Sequence, residues 1–130
     1  MAKYGFSVQV KGAFNTVIEK VTAELQNEGF GVLTDIDVQA TMKKKLNIDQ
    51  RPYRILGACN PTLAHQAITA DPDIGLLLPC NVVVREEENG AITVAFMDPV
   101  AVLSLVKNPT IEALASAVRD KLLSVRDALM

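Results

Sequence analysis

The sequence predicts an α+β fold: a two-layer sandwich in which about five mainly antiparallel strands carry two long helices on one face. Three observations lead there. Two long segments repeat apolar residues at helical spacing, each forming a single stripe that needs a sheet to bury it. Between and around them lie five short runs with strand character. The chain is 130 residues long and 49% hydrophobic, which suits one domain, residues 1–130, with a core needing no metal or disulfide staple.

Phe6, Val8 and Val10 alternate with Ser7, Gln9 and Lys11, the pattern of a half-buried strand, and Gly12 breaks it. Phe14, Val17, Ile18, Val21 and Leu25 then fall on one helical stripe between Ala13 and Asn27, with Gly29 placed to end the helix in a left-handed turn. A second strand runs from Phe30 to Ile36. Asp37 is positioned to cap a short helix whose Val38, Met42 and Leu46 line up, and Lys43, Lys44 and Lys45 complement the dipole of its last turn.

Pro52 closes the loop that follows, and Tyr53 to Cys59 reads as a third strand. Asn60-Pro61 is a cap followed by a first-turn proline, so a short helix to about Ala70 is expected, burying Leu63, Ala64, Ala67 and Ile68. Asp71-Pro72-Asp73 and Gly75 mark a turn. Val82 to Glu87 and Ala91 to Met97 flank Glu88-Asn89-Gly90 and read as a hairpin. Val100 to Val106 is a partly helical connector. Asn108-Pro109 opens the last helix, striped by Ile111, Leu114, Ala115, Val118, Leu122, Val125 and Leu129. Val82-Val83-Val84 is apolar on both parities, so both sheet faces are expected to be covered, one by the long helices and the other by a second subunit.

Composition narrows the function classes. A net charge of -2 offers no global field for nucleic acid or an anionic membrane. No apolar run approaches the roughly 20 residues of a membrane span. Six aromatic residues, four Phe and two Tyr, are too few for base-stacking platforms. Met1-Ala2-Lys3-Tyr4-Gly5 leads into an alternating segment without the apolar core of an export signal, and the two cysteines suit a reducing compartment; a cytoplasmic location is the expectation.

The residues richest in chemistry are Cys59-Asn60-Pro61 and Pro79-Cys80-Asn81. Each sets a thiol beside an asparagine at an element boundary. Cys59 lies just before a helix N-terminus, where amide donors and the dipole favour a thiolate or a bound anion. A paired thiol site is one reading; two small buried hydrophobes is the other. His65, the one histidine, completes a conceivable soft-metal trio with Cys59 and Cys80, although no tight Cys-x-x-Cys spacing accompanies it. Lys43, Lys44, Lys45, Arg51 and Arg54 read as a solvated basic cluster near Glu86, Glu87 and Glu88, or as a phosphate contact. Asp35 with Asp37, and Asp71 with Asp73, read as caps and turns. No nucleophile elbow, metalloprotease helix or dinucleotide fingerprint is present.

Two stretches resemble a known family: Tyr53-Arg54-Ile55-Leu56-Gly57-Ala58-Cys59-Asn60-Pro61, and Asp71-Pro72-Asp73-Ile74-Gly75-Leu76-Leu77-Leu78-Pro79-Cys80-Asn81-Val82-Val83-Val84. They are similar to the prokaryotic family catalogued as "domain of unknown function 302". The basic helix segment from Ile36 to Leu46, Met97-Asp98-Pro99 and the C-terminal helix resemble it too. The resemblance implies a TATA-binding-protein-like β-α-β4-α order and a homodimer, and carries no activity, cofactor or DNA binding with it. The resulting expectation is a cytoplasmic homodimeric binding or interaction module with a small-molecule ligand site at Cys59, Asn60, Cys80 and Asn81. The alternative is a thiol-based redox or soft-metal protein using Cys59 and Cys80 with His65 as ligand or base.

Overall fold

The computed structural model describes residues 3–130; Met1 and Ala2, on which the reading of the N-terminus begins, lie outside the described residues. Five strands, β1 (Gly5–Val10), β2 (Gly31–Asp37), β3 (Tyr53–Cys59), β4 (Cys80–Glu86) and β5 (Ile92–Met97), form one sheet in the order β1-β5-β4-β3-β2. Every neighbouring pair is antiparallel. The two edge strands are consecutive in sequence, so α1 (Phe14–Asn27) carries the chain across the whole sheet.

Helices α1 and α5 (Pro109–Leu129) form the second layer. Strand side chains alternate, so four of the strands give one parity to the core: Phe6 and Val10, Leu56 and Ala58, Cys80 with Val82 and Val84, then Ile92, Val94 and Phe96; the edge strand β2 adds only the half-buried Val32. Val17, Val21 and Leu25 of α1 and Leu122, Val125 and Leu129 of α5 pack onto them. Both helical stripes are thus where the periodicity places them. The Phe6 and Phe96 rings stack at 5.5 Å and the Arg126 guanidinium lies 5.5 Å over Phe6, tying α5 to the β1 edge.

Local signals set the element ends. At the end of α1, Gly29 adopts φ 85° and the Phe30 amide donates back to the Leu25 carbonyl at 2.9 Å, the six-to-one bond of a left-handed cap. Asp37 accepts from the Ala40 amide and caps α2 (Val38–Leu46), whose last turn holds the three lysines. Asn108 accepts from the amides of Thr110 and Ile111 at the start of α5.

Two further pieces lie between β3 and α5. Helix α3 (Pro61–Ala70) runs into a 3₁₀ turn (Pro72–Leu77), and α4 (Pro99–Val102) into another (Leu103–Leu105). With the start of α5 they enclose a second, smaller core of Ala67, Ile74, Leu103, Ile111 and Ala115.

Some burial expectations are corrected. Leu46 is 60% exposed and no residue of α2 is fully buried; α2 meets the sheet at β3, and its Val38 and Met42 are only half-buried. Ile68 is 47% exposed: on so short a helix the inward direction falls on Ala67. Asp35 is not a cap. Arg54 Nε donates to its Oδ1 at 2.8 Å in a two-pronged ion pair. The basic cluster is likewise divided among partners, Lys43 with Asp49, Arg51 with Glu88 and Arg54 with Asp35.

Candidate functional site

Helix α3 starts where β3 stops, and the motif residues take their places from that junction. Cys59 ends β3 and is half-buried. Asn60 Oδ1 accepts from the Leu63 amide at 3.3 Å and caps α3, with Pro61 in the first turn. Pro79, joined to Leu78 by a cis peptide bond, leads into β4 at Cys80. Cys80 lies opposite Ala58 in the sheet register, so the two thiols come from adjoining strands.

Cys59, Asn60 and Cys80 line one pocket of about 330 Å³. Ala58 and Cys80 belong to its sheet side. Ala64 and Ala67 of α3 and Ala115 of α5 face it from the helices. Their small side chains leave the space that leucines would fill. Leu33 and Ile68 also line it, and both are exposed, which places them at its mouth. Leu33 reaches that position through a β-bulge: Val32 pairs with Ala58 and Thr34 with Gly57, so Leu33 is the extra residue of β2. Gly57 is required by crowding. A Cβ there would collide with Thr34 Oγ1 and come within 2.9 Å of Pro79 Cγ.

Asn81 does not join the site. Neighbouring strand residues point to opposite faces, so placing Cys80 toward the helices turns Asn81 toward the face without them. There it lines a separate recess of about 440 Å³ with Tyr53, Val83 and Arg85. His65 is exposed on α3 and does not line the thiol pocket. Among the described residues no group of three His, Cys, Asp or Glu side chains is arranged to hold a metal, so the trio Cys59, His65 and Cys80 is not assembled.

Electrostatics set the character of the pocket. Burial, and then the charge Cys59 would carry beside it, push the Cys80 thiol up to about 11. Cys80 is therefore a protonated, weakly polar wall at neutral pH. Three carboxylates directly adjoin lining residues in sequence: Asp35 beside Thr34, Glu112 beside Ile111, and Asp98 beside Pro99. Asp98 Oδ1 accepts from the Val100 amide at 3.0 Å and Arg119 Nε donates to its Oδ2 at 3.2 Å. Other shifts lie elsewhere: the Arg54 guanidinium lowers the Asp35 carboxyl, and Arg85 and Thr93 together lower Glu87.

A family model described as "Domain of unknown function DUF302" matches residues 6–129. The chain belongs to the DUF302 family. A solved DUF302 structure, the "uncharacterized conserved protein DUF302 from Bacillus stearothermophilus", is similar over 99% of this chain and 100% of its own, with 28% identity and a TM-score of 0.91. No curated protein matches the chain. The DUF302 fold is thus shared by two chains that differ at most positions. No helix among the described residues is long and apolar enough to cross a membrane.

Sequence reasoning singled out three of the pocket residues, Cys59, Asn60 and Cys80, and missed the rest. Ala67 is buried in the second core, as its periodicity predicts, and lines the pocket as well; a pocket wall and a core face have the same apolar periodicity. The signal that separates them is size: alanines where the stripe of a core helix carries Leu or Ile.

Proposed function

We propose that this DUF302 protein is a small-molecule binding module whose site is the pocket lined by Cys59, Asn60 and Cys80. One observation carries the reading: the two Cys-bearing junctions converge on a single apolar pocket of about 330 Å³, within the size range of small-ligand sites. The exposed mouth residues Leu33 and Ile68 support it, since apolar side chains left in water around a recess mark an entry. Two free thiols suit work in a reducing, cytoplasmic setting. Native mass spectrometry of the protein purified from its own cells tests the reading. Retained small-molecule mass is expected, and Ala67→Phe, which fills the pocket, abolishes it. A wild-type chain that retains no mass and takes up no apolar probe overturns the reading.

The module acts as a homodimer joined through the sheet face that bears no helix. Ile55, Val83, Ala95 and Met97 stand on that face at half-buried apolar positions, and the resemblance points to the same assembly.

A second reading, a thiol redox pair, draws on the same convergence of Cys59 and Cys80. The protonated state of Cys80 weighs against it, because the thiolate is the reactive form. Alkylation of the native protein separates the two: Cys59 modified alone fits a binding pocket, and rapid loss of both thiols supports redox chemistry.

A further inference from the structure

We infer that the ligand of the Cys59–Cys80 pocket is an uncharged, largely apolar molecule of about a dozen non-hydrogen atoms, and that the pocket rejects anions of the same shape. The inference rests on the binding reading above and narrows its ligand class.

Three observations carry it. The lining holds no Asp, Glu, Lys, Arg or His, so an ionised group entering it gains no counter-charge for the water it loses. The helix starts around it are already occupied. Asn60 caps α3, Asp98 caps α4 and Asn108 caps α5, and each helix has a proline in its first turn. Asp98 and Asn108 each accept from two first-turn amides and Asn60 from one, so most of the amide donors that would greet a carboxylate or phosphate elsewhere are taken by the chain's own side chains. One of those caps, Asp98, is itself anionic and adjoins the lining residue Pro99. The high proton affinity of Cys80 reports the same intolerance of negative charge.

Volume sets the size. An apolar cavity of about 150 Å³ takes up benzene, and the pocket here is about 330 Å³. Roughly twice the contents fit, a bicyclic ring or a medium-length neutral chain. Cys59, Cys80 and Phe30 present polarisable surface to such a ring.

The test compares two probes of nearly the same shape at pH 7, 2-naphthol and 2-naphthoate, titrated into the full-length protein and followed by amide chemical shifts. Neutral 2-naphthol is expected to shift the amides of Ala58, Ala67 and Ala115, and 2-naphthoate to bind at least about tenfold more weakly. Ala115→Phe should abolish the naphthol response; its own spectrum reports whether it folds, and Ala67→Leu serves as the milder blocking variant. Affinities within tenfold of each other overturn the exclusion of anions and leave the binding reading standing. If neither probe moves those amides, the pocket is not a binding site, and this inference fails along with the reading beneath it.

Discussion

Cys80 shows how one buried titratable group couples stability to pH. Its thiol is held near 11, against an ordinary value near 9, chiefly because burial disfavours the thiolate. A group with a raised folded pKa contributes stability that is intact below its unfolded value and is lost as pH rises through the folded one. From pH 9 to 11 the protein should therefore lose about 2–3 kcal/mol on this account. Cys80→Ala lacks the titration. Urea unfolding across that range should show the gap between wild type and variant shrinking as pH rises, and a constant gap refutes the assignment. Gly57 makes a steric case at the same scale. Gly57→Ala should cost about 1–3 kcal/mol by forcing Thr34 and Pro79 apart. Thr34→Ala in the same chain should recover part of that loss, which a double-mutant cycle measures.

At the scale of elements, four of the five α-helices owe their starting points to side chains visible in the sequence; α1 starts after Ala13 without one. Asp37, Asn60, Asp98 and Asn108 each accept backbone N–H donors at the first turn of their helix. Asn60→Ala and Asn108→Ala should each cost about 1 kcal/mol in chemical denaturation and should add, since the two caps share no partner. Asn60 has a second contact. A Cβ at Gly29 would lie 3.1 Å from its Nδ2, so the cap of α3 is packed against the left-handed turn that ends α1. Helix α2 is the counter-example: its cap and basic last turn are legible, yet Leu46 is exposed and Val38 and Met42 are only half-buried. Periodicity says which residues share a face and not whether anything lies against that face.

For the whole molecule, the sheet face without helices is the surface that bears on assembly. A standard interface takes about 800 Å² from each partner, roughly a tenth of the 7589 Å² that this chain exposes. A five-stranded face can supply that area. Light scattering at micromolar concentration should give twice the mass of 14.1 kDa, and Val83→Lys should return it to the monomer value. A wild-type monomer under those conditions removes the dimer from the proposal. The proposal gives the two faces separate tasks: self-association on the helix-free side and ligand binding at the helix-covered end where β3 meets α3.

The sequence by itself determined the strands, the long helices, their caps and the hairpin, because those follow from contacts within a few residues: alternation, 3.6-residue stripes, Asn-Pro starts and a glycine with positive φ. It also marked Cys59, Asn60 and Cys80. Tertiary structure alone decided that Asn81 leaves the site, since the direction of a strand side chain is set only once register fixes which parity meets the helices. It alone showed the pocket, because Ala64, Ala67 and Ala115 are apolar with or without one, and only the packing of α3 and α5 shows that Ala67 and Ala115 of the second core also border an open space.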